Sequence, residues 1–310
     1  MEEIANVVDN RLEKWGTDER TRHLLKKTED WLAPINNDLH KNIFITLLKN
    51  FNYYSRESIY NIFVNIHNTQ VRSFDPNCER TLFFPLISPE GRLNHSYDML
   101  SCYQIANSLN KICFPTEMDL VEKLYPLDII DNIVLIDDMT GTGNTIKNSI
   151  EFMINKFENI FRDKKIHLIL LEGSEEGINK IKELEKEYDC EISIICNNLY
   201  QKAFLKEHIF DSVECEDAKA IVQQYEKEIT NNNDRFVLGY NQSEALMAFY
   251  YNTPNNTLSS FWFSNERKNW SPLFPRNNTF GPSWTKDLRK KMRKTKNVNY
   301  NLIKTNLEKE

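Results

Sequence analysis

The sequence predicts an α/β fold: a mainly parallel sheet flanked by helices, with a helical region before it and an α+β extension after it. Three observations carry that prediction. Apolar runs without polar alternation recur at 81–87, 133–136 and 165–171, the pattern of strands covered on both faces. Amphipathic stretches separate them, so the order reads strand, helix, strand. Between Ile133 and Ile146, finally, IVLIDDMTGTGNTI joins an apolar run, two acids and a Gly/Thr loop that opens a helix.

The totals fit one such core with additions. The chain has 310 residues, 40% hydrophobic and 12% aromatic, enough for a sizeable interior and too apolar for a disordered chain. A formal net charge of −6 excludes a surface that is basic all round. The six cysteines are scattered without a C-x-x-C pair, and His95, His167 and His208 do not join them at ligand spacing. That predicts reduced thiols, no zinc site and a cytoplasmic protein. No signal-peptide core and no run of about 18 apolar residues occurs, so no membrane contact is expected.

Residues 1–75 read as helices. Leu12 with Trp15, Leu24 with Leu25 and Trp31, and Ile43, Ile45, Leu47 and Leu48 recur at helical spacing. Thr17-Asp18-Glu19-Arg20 and Ser55-Arg56-Glu57-Ser58 resemble helix starts, with a capping side chain followed by acid. A core at 76–200 begins with the strand Thr81–Ile87, a polar loop from Ser88 to Ser96 and a helix from Tyr97 to Leu109. Between Ile112 and Asp131, Pro115 and Pro126 bracket a short helical piece.

In the motif itself, Asp137 and Asp138 follow the strand at the edge where open α/β sheets bind ligands. The loop after them turns on glycine and feeds a helix whose first N–H groups attract a phosphate. Two carboxylates beside such a cradle suit a sugar phosphate, with hydroxyls and a divalent cation on the acids. A dinucleotide fingerprint would need a third Gly where Ile146 stands, and no Gly-Lys-Ser/Thr of a P-loop occurs. A helix over 145–161, a strand at 165–171, a helix at 175–188 and a strand at 191–196 complete a β-α-β-α-β run. This run puts Asp137, Asp138, Glu172, Ser174 and Asn197 on one edge. His167, inside its strand, reads as structural.

An extension at 201–282 follows, with helices expected at 203–210 and 216–229. Asn252-Thr253-Pro254-Asn255-Asn256 is too rigid and polar for the interior of a helix or strand. Tyr250, Tyr251, Phe261, Trp262, Trp270 and Phe274 surround it. Stacking faces between amides can grip a nucleobase; the residues equally describe an aromatic core patch with a turn. A tail at 283–310 carries the basic run Lys286–Lys296, either a weak RNA or DNA contact or a solvated terminus.

VLIDDMTGTGNT resembles the phosphoribosyl-pyrophosphate (PRPP) motif of type I phosphoribosyltransferases. The resemblance implies a type I phosphoribosyltransferase-like core in which Asp137 and Asp138 are catalytic, hold the ribose hydroxyls and carry Mg²⁺. Thr140, Gly141, Thr142, Gly143, Asn144 and Thr145 would wrap the 5′-phosphate. Asn144 stands where many members have a second Gly. In that family the loop after the preceding strand faces pyrophosphate, which would set Ser88, Gly91, Arg92, Asn94 and Ser96 toward the substrate; the same residues equally describe a simple surface connection. Active members insert a long loop and hood where this chain has only its stretch after Ile112, so closure must come from elsewhere.

NTPNNTLxxFW followed by WxPLFPR, behind that motif, is similar to phosphoribosyltransferase-like proteins of bacterial conflict and anti-phage systems, some of them retron-associated. By that likeness Asn252, Asn255, Asn256, Trp262 and Arg276 join the pocket, and a defence effector acting on PRPP or a nucleotide is expected, toxin action on a nucleotide pool included. Partners would come from the same cassette, such as a reverse transcriptase or NTPase. A non-catalytic nucleotide-sensing or scaffolding subunit is the alternative.

Overall fold

β-branched and apolar runs form the centre of the molecule because only a sheet covered on both faces can bury them. The computed structural model describes residues 2–276 and places four parallel strands side by side: β2 (Thr81–Pro85), β3 (Asn132–Thr140), β4 (Lys165–Gly173) and β5 (Ile192–Leu199), in that order. Register runs Phe83 to Val134, Ile136 to Ile169 and Ile169 to Ile195. A shorter parallel pair joins β1 (Asn52–Tyr54) to β6 (Met247–Phe249).

The helices in chain order are α1 (Glu2–Trp15), α2 (Leu24–Leu32), α3 (Asp38–Lys49), α4 (Arg56–Ile66), α5 (Arg72–Phe74), α6 (Ser96–Ala106), α7 (Met118–Leu124), α8 (Asn144–Lys156), α9 (Glu158–Phe161), α10 (Glu175–Tyr188) and α11 (Ser212–Ile229). Side chains alternate across the pleat and so feed two layers. Ile133, Leu135, Leu168 and Leu170 pack with α7, α8, α9 and α10. Val134, Ile136, Ile169 and Leu171 pack with α4 and α6.

A third core holds the N-terminal helices and the C-terminal extension together. Trp15, Trp31, Phe44, Phe51, Phe261, Trp270 and Phe274 are all buried in it. Phe51 stacks on Phe261 at 4.6 Å and on Phe274 at 5.0 Å, and the Trp31 and Trp270 indole N–H groups both donate to the Ser260 carbonyl, at 2.8 and 2.9 Å. Each such side chain, fully buried, contributes roughly 1.5–3 kcal/mol. The chain divides into two compact units, Met1–Pro275 and Arg276–Glu310. The basic run Lys286–Lys296 lies outside the described residues.

Several expectations shift in detail. β3 continues through both acids to Thr140, and β1 is a strand inside the region read as helical. The helix expected over 145–161 breaks at Phe157 into α8 and α9. The helix expected at 203–210 is a run of turns. There the Ala203 N–H donates to the Glu244 carbonyl at 3.0 Å and the Phe204 N–H to the Glu244 carboxylate at 3.2 Å, so tertiary partners replace helical ones. No helix among the described residues is long and apolar enough to cross a membrane.

Candidate functional site

β3 carries its two acids to the C-terminal edge of the sheet, where both are half-buried. The Asp138 N–H donates to Asp137 Oδ1 at 3.0 Å, and the Met139 N–H donates to Asp138 Oδ1 at 2.7 Å. Burial and then the neighbouring Asp138 push the Asp137 carboxyl well above the usual range. Burial also raises Asp138, opposed by a hydrogen bond from Tyr251 and by the charge of His95. Among the described residues neither acid forms an ion pair with a lysine or arginine, and the positive charge acting on Asp138 is that of His95.

The loop after the acids is bolted to the start of α10. The Ser174 N–H donates to the Thr140 carbonyl at 3.0 Å, the Ser174 hydroxyl donates to the Gly141 carbonyl, and the Gly177 N–H donates to Ser174 Oγ at 2.9 Å. A Cβ on Gly177 would lie 2.4 Å from the Gly141 oxygen, so only glycine allows this approach. Gly143 has φ 76° and stands just before α8 without a side-chain cap, while Asn144 and Thr145 are exposed. The first turn of this 13-residue helix therefore offers N–H donors and the positive end of its dipole.

The C-terminal extension reaches over both halves of the motif. Strand β6, paired with β1, delivers Tyr251, whose hydroxyl donates to Asp138 Oδ2 at 2.6 Å. Burial and the two acids raise the Tyr251 phenol well above its ordinary value. Asn256 lies against the loop, since a Cβ on Gly141 would come within 2.2 Å of its amide nitrogen. The Asn256 carbonyl accepts from the Ser243 hydroxyl at 2.8 Å, and the Asn255 carbonyl accepts from the Tyr240 N–H at 2.7 Å.

Other residues singled out in the sequence are placed less centrally. Trp262 is buried, 3% exposed, with its indole N–H on the Thr257 carbonyl at 2.9 Å. Ser88, Gly91 and Arg92 form a turn in which the Gly91 N–H meets the Ser88 carbonyl and Arg92 pairs with Glu90 at 3.1 Å. That loop joins the motif through its far end. Ser96 Oγ donates to the Ile136 carbonyl and accepts from the Leu86 N–H, and the His95 ring lies 4.5 Å from the Tyr251 ring. Arg276 begins the second unit and is the last described residue.

Glu172, expected on the ligand edge, is fully buried. It accepts from Tyr54 at 2.5 Å, Asn52 at 3.1 Å and Asn198 at 2.9 Å. Burial outweighs these donors and pushes it up to about 7. It ties β1 to the main sheet. Sequence reasoning missed Gly177, Tyr200 and the contacts of Tyr251 and His95. Only the spacing Ser174-x-x-Gly177 was visible, and a serine cap before a glycine is too common to single out. No group of three or more His, Cys, Asp or Glu able to hold a metal occurs among the described residues.

The PRTase-CE family profile matches residues 28–276. Among solved structures, the chain is similar to an orotate phosphoribosyltransferase from Aeropyrum pernix. The identity is 12%, covering 45% of this chain and 69% of that one, with a TM-score of 0.27. It is also similar to a xanthine-guanine-hypoxanthine phosphoribosyltransferase from Helicobacter pylori, at 11% identity over 47% of this chain and 86% of that one, again with a TM-score of 0.27. Likenesses this slight carry no conclusion by themselves. No curated protein matches the chain.

Proposed function

We propose that this chain, which belongs to the PRTase-CE family, binds a ribose bearing a 5′-phosphate, as PRPP or as a nucleotide, and transfers its phosphoribosyl group as the effector of a bacterial anti-phage or conflict system. One observation supports the reading above the rest: two acids without a lysine or arginine partner stand near the end of β3, and the loop that follows hands directly to the N-terminus of α8, which has no side-chain cap.

In this reading the loop from Thr140 to Thr145 and the first-turn amides of α8 receive the phosphate. Asp137 and Asp138 receive the ribose hydroxyls and stabilise C1′ as it becomes cationic. Hard carboxylate oxygens next to a phosphorylated ligand fit Mg²⁺, which takes one or two carboxylates and completes its shell with substrate oxygens and water. Bound at Asp137 and Asp138, Mg²⁺ would neutralise charge on the leaving pyrophosphate. Tyr251 orients Asp138 and Asn256 covers Gly141, contacts through which the C-terminal extension would take the part of the missing hood in this reading. The partner expected is another protein of the same cassette, a reverse transcriptase or NTPase.

The test is pyrophosphate release from PRPP, measured beside calorimetric binding of ribose 5-phosphate. Asp137→Asn combined with Asp138→Asn is expected to abolish release and to weaken binding at least tenfold. Release at the wild-type rate by the double variant would overturn the reading. Sensing without turnover is the second reading, favoured by the short stretch after Ile112, which holds only a turn at Lys111–Cys113 and the seven-residue α7. Tight binding with no release in the wild type would select it. Dependence of phage protection or growth arrest on the same two acids tests the defence role.

A further inference from the structure

A cavity of about 200 Å³ opens on the side of the phosphate loop where Gly141 and Thr142 form its wall. Residues of the C-terminal extension and of the segment after β5 make the opposite wall, among them Tyr200, Leu205 and Asn241. From this we propose that the substrate is a nucleotide extended beyond its 5′-phosphate, with a second nucleoside linked through that phosphate and its base seated in this cavity. The proposal rests on the phosphate assignment to the Gly141–Thr145 loop and adds what lies on the far side of that phosphate.

The size suits one ring system and little else. A cavity of about 150 Å³ holds benzene, whereas drug-sized ligands fill roughly 300 Å³ or more. Its chemistry suits a neutral body with polar edges. Exposed Leu205 supplies apolar contact, the Tyr200 ring a flat one, and the Asn241 amide both a donor and an acceptor. Glu175, Glu176 and Lys202 all line the cavity, two acids against one base, so it does not gather anions as a second phosphate site would.

The walls are also fixed. The Tyr200 N–H donates at 2.9 Å to the carbonyl of Gly173, the residue just before Ser174, which bolts the phosphate loop. The cavity and the loop thus share one frame. A ligand with a bare 5′-phosphate leaves this space unused, whereas one joined through that phosphate to a second nucleoside fills it without disturbing the acid pair.

Calorimetry on the full chain distinguishes the cases with four probes: ribose 5-phosphate, adenosine 5′-monophosphate, a pyrophosphate-linked diadenosine and a 3′–5′-linked diadenosine phosphate. At least one of the two linked probes is expected to bind tenfold or more tightly than the monophosphate, and which one does so identifies the linkage. Leu205→Trp, at an exposed position, is expected to erase that preference while ribose 5-phosphate binds as before. Lys202→Ala, which keeps the cavity open, is expected to change the preference less than threefold. Equal affinity for all four probes, or a preference that survives Leu205→Trp, would overturn the proposal alone. Failure of every probe to bind, or binding indifferent to Asp137→Asn, would overturn the phosphate-site reading with it.

Discussion

The Tyr251 hydroxyl donates to Asp138 Oδ2 at 2.6 Å across 113 positions of sequence, and this bond joins the C-terminal extension to the acid pair of β3. It has an electrostatic consequence. A donor to the ionised carboxylate opposes the burial that raises Asp138.

Tyr251→Phe removes that donor, so the Asp138 carboxyl rises further and the acid pair ionises only at higher pH. Binding of ribose 5-phosphate requires the ionised pair in our reading, so its affinity increases with pH in the wild type. The midpoint of that increase should move upward by about one pH unit in the variant, as expected from losing a hydrogen bond of 1.5–3 kcal/mol to a charged group with partial replacement by water. Calorimetry from pH 4.5 to 8 measures it, and an unmoved midpoint contradicts the role given to Tyr251.

Gly177 and Gly91 make a matched pair for the close approach. At Gly177 an added Cβ would meet backbone, the Gly141 oxygen at 2.4 Å. At Gly91 it would meet nothing within 4 Å, and only the φ of 65° opposes it. Gly177→Ala should lose about 1–3 kcal/mol and weaken phosphate binding tenfold or more, because the loop must move. Gly91→Ala should cost about 1 kcal/mol from backbone strain. Equal losses in urea melts would show that the contact between Gly177 and Gly141 is not a constraint.

Glu172 gives the fold a pH dependence of its own. Its folded-state value is raised to about 7 from 4.5, so the acid form is favoured in the folded protein. Its stabilisation is full below about pH 4.5 and is lost as pH rises through about 7, on the order of 3 kcal/mol at most. Chemical denaturation at pH 5 and pH 8 should therefore show a smaller difference in Glu172→Gln than in the wild type. An identical difference would mean that Glu172 titrates as it does in the unfolded chain.

Arg20 ties the extension down from the N-terminal region. Its guanidinium donates to the Phe249 carbonyl at 2.6 Å, the Thr253 hydroxyl at 2.8 Å and the Pro275 carbonyl at 2.7 Å. Arg20→Lys keeps the charge but cannot span three acceptors with a planar fork. It should lower stability by about 1–3 kcal/mol and weaken ligand binding through Tyr251 and Asn256, although it touches neither. Thermal melts and calorimetry check both effects, and unchanged binding would detach the extension from the site.

The motif was legible in the sequence because its parts are local. Ile133–Ile136, the acids, the glycine turn and the helix start follow one another within fourteen residues, so their order shows in the sequence itself. The starts of α8 and α10 were equally local, set by Gly143 and by the Ser174 cap, whose hydroxyl accepts from Gly177. The turns at 203–210 were not legible, because Glu244 supplies their partners from across the fold.

By itself, then, the sequence determined the order of the strands of the main sheet and the chemistry of the stretch from Asp137 to Thr145, since periodicity and turn residues act over a few positions. Only the tertiary structure decided what stands against that stretch. Tyr251 rests on Asp138, Asn256 on Gly141 and Gly177 beneath the loop, while Glu172 turns away from the ligand edge into the interior. The reason is physical: these contacts join residues far apart in the chain, and packing against β1, β6 and the aromatic core, rather than any local preference, brings them together.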